Sequence, residues 1–197
     1  MFSINYRVSK RPNGKWPAQI EDVQKALKHI RANASRFRID PARIASLGMS
    51  AGGHLATMVA LRDDPTSPDG RVNIAINLDG EHDMTMPPDQ VMDDFEDILT
   101  AVMGHPAPWS DAELRDISTV TFARPDISVL TVHGTGDDNV YVTQGERITA
   151  ALQSIDRRNR VYPPRRERGR LPQRLLEGSA IVSASSARLS GRTGYLA

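Results

Sequence analysis

Arg43-Ile44-Ala45-Ser46-Leu47-Gly48-Met49-Ser50-Ala51-Gly52-Gly53-His54-Leu55-Ala56-Thr57-Met58-Val59-Ala60-Leu61 decides the reading of this chain. Arg43 to Gly48 is a short apolar run of strand length, and Gly52 to Leu61 is an apolar run of helix length. Between them lies Gly48-Met49-Ser50-Ala51-Gly52, a G-x-S-x-G sequence in a strand-to-helix context. Such a turn holds its serine in a strained backbone and tolerates only small flanking residues. A side chain on either flank would collide with the neighbouring strand or helix. Ser50 is thereby presented at the carboxyl end of a strand, with the first N–H groups of the helix behind it. This predicts Ser50 as a nucleophile, Gly48 and Gly52 as the residues that permit the turn, and Ala51 N–H as an oxyanion donor.

Working outward, strands and helices alternate. Phe2 to Val8 reads as a strand, Lys10 to Lys15 as a loop, and a helix opens at Pro17 with Ile20, Val23, Leu27, Ile30 and Ala34 at helical spacing. Asp63 to Gly70 is a turn-rich loop and Val72 to Leu78 an apolar strand. Met84 to Thr121 is a mixed, acidic insert with a helix expected over Pro88 to Val102. Ile127 to His133 is a strand and Val142 to Ile155 a helix. Continuous apolar strands alternating with helices predict an α/β fold, a mainly parallel sheet with helices on both faces. The four strands Phe2–Arg7, Arg43–Leu47, Val72–Leu78 and Ile127–Val132 are expected as neighbours in it. Residues 1–163 form the domain, with a lid-like insert at about 84–121. Residues 164–197, rich in Arg, Ser, Gly and Ala, lack either period and read as a disordered tail.

A second motif follows the Ile127 strand: His133-Gly134-Thr135-Gly136-Asp137-Asp138-Asn139-Val140. A carboxylate at a strand's carboxyl end, downstream of the nucleophile, is where the acid of a Ser–Asp–His order belongs. Its task is to hold an imidazole in one tautomer and to stabilise its charged form. Asp137 is the first choice and Asp138 the reserve. None of the five histidines, at 29, 54, 82, 105 and 133, follows Asp137. His29 reads as solvated, His54 as helix packing and His133 as bonded to its own loop. His105 lies in the insert. His82 follows a strand and so reaches the edge where the elbow opens, which makes it the best substitute base.

Tyr6-Arg7, the Pro17-Ala18-Gln19-Ile20-Glu21-Asp22 helix start, Asp40-Pro41-Ala42-Arg43-Ile44, the elbow through Ala56 and the His133–Val140 segment together resemble the esterase/lipase branch of the α/β-hydrolases, near the hormone-sensitive-lipase-like and BD-FAE-like enzymes. The resemblance covers about residues 2–163. It implies a serine carboxylesterase for short-chain esters, with Ser50 as nucleophile, Asp137 as triad acid and no cofactor or metal. The partner it implies is a small-molecule ester. Family members carry a His-Gly-Gly oxyanion loop before the Tyr-Arg pair and a triad histidine after the last strand. This sequence matches neither. Arg160-Val161-Tyr162-Pro163 resembles that last strand, and Glu167 falls near the histidine's place. A catalytically impaired hydrolase unit that binds without turnover is therefore the competing reading.

Composition bounds the rest. There is no cysteine, hence no disulfide and no thiol nucleophile. The formal net charge is +1, but from Arg157 onward ten arginines face only Glu167 and Glu177, so the first 156 residues are net acidic. The basic segment has few aromatics and reads as solvated rather than as a nucleic-acid site. The acidic run Asp89, Asp93, Asp94, Glu96 and Asp97 reads as a solvated helix face, not a metal site. No stretch has the length and apolarity of a membrane span. The N-terminus lacks a basic and an apolar region in sequence, which predicts a cytoplasmic protein. Met86, Met92, Met103 and Trp109 either shape an acyl pocket or form the insert's own core.

Overall fold

The computed structural model describes residues 1–64, 70–87, 90–155 and 180–184, the last five as backbone. Five parallel strands form one sheet in the order β1-β5-β2-β3-β4. The strands are β1 (Phe2–Ile4), β2 (Ile44–Met49), β3 (Ile74–Leu78), β4 (Ser128–Val132) and β5 (Ala180–Ala184). Three agree with the expected strands in type and place. β1 does not lie beside β2, however. Residues 180–184, within the segment read as structureless, pair in parallel with β1 on one side and β2 on the other. The apolar β-branched pair Ile181-Val182 is the only local signal for a strand there. The expected strand at Arg160–Pro163, the place of Glu167, and the remainder of the tail lie outside the described residues.

The expected strand from Phe2 ends early because Arg7 is drawn to the first helix, α1 (Ala18–Ala32). Its backbone N–H donates to Asp22 Oδ2 at 2.9 Å, its Nε to the same oxygen at 2.8 Å, and its Nη2 to Glu21 Oε2 at 3.0 Å. Partial burial opposes ionisation of Asp22, but the Arg7 hydrogen bonds outweigh it and hold that carboxyl below its usual range. Arg7 thus fixes the loop onto the acidic, positive-dipole end of α1. The inward stripe of α1, Ile20, Val23, Leu27 and Ile30, is buried in the main core.

Helix α3 (Ala51–Leu61) is buried from Gly52 to Leu61 without an exposed face. That is why its sequence has no amphipathic period: it lies between the sheet and α1 and is closed off by the 3-10 turn Thr119–Phe122. Met58, Ala60 and Thr57 have no measurable exposure. After α2 (Ala34–Phe37), a single turn ending at Arg38 in the left-handed region, the chain enters β2.

In the insert, the helix expected from Pro88 begins only at Phe95: α4 runs Phe95–Met103 and stops at Gly104, whose φ of +87° suits a glycine cap. Helix α5 (Asp111–Ile117) begins with a capping box between Ser110 and Glu113. Met84, Leu99 and Ile117 form a second small core, against which Met103 and Trp109 pack. Those two residues are insert core. Helix α6 (Val142–Ile155) completes the order and buries Ile148 and Leu152.

Candidate active site

Ser50 follows β2 directly and caps α3 with φ +52° and ψ −128°. That is a costly backbone for a non-glycine residue, of the order of 1–3 kcal/mol. Three features keep it there. The Ser50 N–H donates to Leu78 O on β3 at 2.8 Å, the Ser50 carbonyl accepts from His54 N at 3.0 Å, and the elbow closes on glycines. A Cβ on Gly48 would overlap the Gly52 carbonyl. One on Gly53 would lie 2.9 Å from Leu78 O and 3.2 Å from Gly80 Cα, where helix and strand approach closely. At the helix start, Ala51 N–H and its neighbours carry no intrahelical acceptor, as at the start of any α-helix. The Ser50 hydroxyl has no hydrogen-bond partner among the described residues.

The strand tips join Ser50 to the second motif. Asp79 N–H donates to Val132 O at 3.0 Å, and Asp79 Oδ1 accepts from Gly134 N at 3.0 Å. Asp79 itself has φ +49°. Ser50, Asp79 and the His133–Val140 loop therefore share the carboxyl edge of β2, β3 and β4. Asp137 Oδ1 accepts from Asn139 N at 2.9 Å and from Val140 N at 3.0 Å, so its first task is to shape its own loop. His133 Nε2 donates to Val140 O at 2.7 Å and lies 3.9 Å from Asp137 Oδ2. His133 is bonded to its own loop, as expected. Asp138 has no side-chain hydrogen bond among the described residues.

Asp79, His133 and Asp137 offer three ligand atoms within 4.8 Å of one another. All three are already engaged with backbone groups of this loop. The cluster is better explained as loop architecture than as a metal site. Of the acidic run, Asp93 and Asp97 are exposed on the insert, and Asp89 lies outside the described residues.

His82 reaches the same edge but turns inward. It is fully buried, its Nδ1 is 2.8 Å from Thr119 Oγ1, and its Nε2 has no partner. Burial first, and then the proximity of His54 and His133, push its pKa well below the ordinary value. The structure does not join His82 to Ser50 by a hydrogen bond. His105 is exposed and pairs with Glu113 at 2.9 Å, away from the elbow. His29 is exposed on α1.

A cavity of about 80 Å³ opens beside Ala51. Its walls include Leu55 and, from the insert, Met84, Met92, Phe95, Leu99 and Ile117. Five polar residues also face it: Tyr6, Ser9, Gln19, His54 and Glu81. Burial lowers His54 to about 4, and burial, aided by Asp137 and Asp94, raises Glu81 to about 7. Sequence reasoning assigned His54 to helix packing and passed over Tyr6, Gln19 and Glu81. They come from the loop after β1, from α1, from α3 and from the tip of β3, a meeting that no local pattern encodes.

The BD-FAE family model matches residues 1–152. The chain belongs to the BD-FAE family. Among curated relatives of this BD-FAE member, the probable carboxylic ester hydrolase LipM of Mycobacterium tuberculosis is 33% identical over 169 residues, covering 81% of this chain and 39% of LipM. The esterase LipC of the same organism is 32% identical over 170 residues, covering 79% of this chain and 41% of LipC. The BD-FAE chain thus spans about two fifths of the length of these relatives. In three dimensions it is similar to the thermophilic esterase Est2 of Thermogutta terrifontis, with a TM-score of 0.62, 25% identity, and coverage of 80% of this chain and 56% of that one. A truncated carbohydrate esterase from gut microbiota, at 23% identity and a TM-score of 0.67, shares the fold and covers 81% of this chain and 62% of its own. Among the described residues no helix is long and apolar enough to cross a membrane.

Proposed function

We propose that this protein is a serine hydrolase of short-chain carboxylic esters, acting through an acyl-enzyme on Ser50. One observation carries the reading: Ser50 is held at φ +52° between a strand and a helix start, a strain that packing alone gives no reason to keep. The kinship with carboxylic ester hydrolases supports it.

In this reading Ser50 Oγ attacks the acyl carbon while its proton passes to a base, and charge builds on the former carbonyl oxygen. Ala51 N–H, at the positive end of α3, faces that charge. Collapse of the tetrahedral species expels the alcohol, which takes the proton. Water then repeats the attack and releases the acid. Asp137 orients and stabilises an imidazole over the shared edge of β2, β3 and β4. His82 is the substitute base, and to serve it must exchange Thr119 for Ser50. The cavity beside Ala51 takes the acyl chain.

A second reading, a hydrolase unit that binds esters without turnover, is favoured by the same serine. Its hydroxyl has no acceptor among the described residues, and a general base must lie about 2.6–3.2 Å away or act through one water.

Purified protein is assayed on p-nitrophenyl butyrate beside Ser50→Ala, Asp137→Asn and His82→Ala. The esterase reading expects Ser50→Ala to lower the rate by about 10³-fold or more. A rate in wild type that Ser50→Ala leaves intact, or none above buffer, leaves the binding unit standing. A rate that falls in Ser50→Ala but not in His82→Ala removes His82 as base.

A further inference from the structure

The cavity beside Ala51 carries one acid with no cation to meet it. Glu81 lines the cavity and is half-buried. Its one hydrogen bond runs to its own backbone N–H, and it forms no ion pair among the described residues. A carboxyl oxygen is thus left unbonded. That oxygen is not shut off from solvent, in contrast to the unpartnered Tyr6 Oη, Gln19 Oε1 and His54 Nε2. The charges that act on Glu81 are those of Asp137 and Asp94, both negative. Burial first, and then these two acids, raise it to about 7. Its ionised form is therefore unfavourable here until a cation is supplied.

The cavity's own walls supply none. No Lys or Arg lines it. The neighbouring Lys15 turns its ammonium to Ser9 O at 2.9 Å and Ala101 O at 2.8 Å. Burial lowers His54 to about 4, so it is neutral wherever Glu81 is charged. The remaining walls select the kind of cation. Most are apolar, and Tyr6, Trp16 and Phe95 are aromatic. An aromatic ring attracts a cation through its quadrupole, most strongly away from water. Trp16 already has the Arg62 guanidinium over its ring at 5.5 Å, whereas Tyr6 and Phe95 carry no cation among the described residues. A primary ammonium brings three N–H donors, which one open carboxyl oxygen among apolar walls cannot serve. A quaternary ammonium brings none, and its methyl groups suit those walls. A volume of about 80 Å³ leaves room for roughly half a dozen water-sized groups, the scale of a trimethylammonium head on a short arm.

We propose that this cavity binds a quaternary ammonium group, its charge met by the Glu81 carboxylate and its methyl groups by the apolar and aromatic walls. That such a group arrives on the acyl chain of an ester rests on the esterase reading. The binding itself needs no turnover.

Three compounds of one shape and different charge test it: choline, its neutral isostere 3,3-dimethylbutan-1-ol, and the anion 3,3-dimethylbutanoate. Each is titrated into the full chain at pH 8, above the Glu81 value of about 7, while the indole N–H signals of Trp16 and Trp109 are followed by NMR. Trp16 lines the cavity and reports its occupancy. Trp109 packs in the insert core and serves as the control. Choline should move the Trp16 signal, leave that of Trp109 in place, and bind at least about tenfold more tightly than the alcohol, a difference of about 1.4 kcal/mol. The anion should bind most weakly. Glu81→Gln keeps the shape and removes the charge, so it should bring choline level with the alcohol and leave the alcohol's own affinity unchanged. Choline no tighter than the alcohol, no Trp16 shift with any of the three, or a preference that survives in Glu81→Gln would overturn the proposal. The series on the unaltered chain decides between the outcomes even where the variant does not fold. The two readings fail separately. Ser50→Ala should keep the preference, and a wild-type protein that shows the preference but no esterase rate loses the acyl-enzyme reading alone.

Discussion

Replacing Ser50 by glycine should make the protein more stable while removing its nucleophile. At φ +52° and ψ −128° a residue with a Cβ carries roughly 1–3 kcal/mol of backbone strain. Glycine removes most of this and gives back about 0.5–1 kcal/mol through the extra freedom of the unfolded chain. The net gain is about 1–2 kcal/mol, or roughly 2–8 °C in Tm for a domain of this size. Ser50→Ala is the control, because it removes the hydroxyl but keeps the Cβ. That hydroxyl makes no hydrogen bond among the described residues, so Ser50→Ala should match wild type within about 0.5 kcal/mol. Urea unfolding of the three proteins, followed by circular dichroism at 222 nm, measures the difference. A glycine variant no more stable than the alanine variant would refute the idea that the elbow stores strain.

Three further outcomes are expected. Gly48→Ala should cost more than about 3 kcal/mol or prevent folding, since its Cβ has no space beside the Gly52 carbonyl; soluble yield and urea midpoint check this. Ser110→Ala should cost about 0.5–2 kcal/mol by opening the capping box of α5, read from the same curves. Glu81 is raised from its ordinary 4.5 to about 7, by burial first, so the folded state holds a proton that the unfolded chain releases. Its contribution is fully present below pH 4.5 and is lost as pH rises to about 7. The stability of Glu81→Gln minus that of wild type should therefore grow across that window by up to about 3 kcal/mol. His54, lowered to about 4, slopes the opposite way, losing stability as pH falls below 6.5, so only the difference between the two proteins isolates Glu81.

The parts legible from sequence were those where one residue type has a local steric reason. Gly48 precedes Ser50 because a Cβ there would overlap the Gly52 carbonyl, and the G-x-S-x-G spacing announces it. β2, β3 and β4 were readable because a strand covered on both faces needs an unbroken apolar run. Features set by distant partners were not readable. Arg7 ends β1 early by reaching α1, and α4 waits until Phe95 after the proline pair at 87–88. Nothing local in 180–184 says that it lies between β1 and β2. The candidate site divides the same way. Ser50 and the Asp137 loop stand out in the sequence, whereas Tyr6, Gln19, His54 and Glu81 sit on four elements far apart in the chain and come together only in the folded domain.

The bonds from Ser50 N to Leu78 O, from Asp79 N to Val132 O and from Gly134 N to Asp79 Oδ1 run crosswise over three loops that are far apart in sequence. The Ser50 and Asp79 amides, bonded backbone to backbone, cannot exchange their hydrogens with solvent unless two strand tips separate. The edge should therefore open as one cooperative unit rather than loop by loop, with the Ser50 and Asp79 amides sharing a similar opening free energy. A change that loosens the Gly134 turn would then be felt at the serine two strands away, without any contact between them.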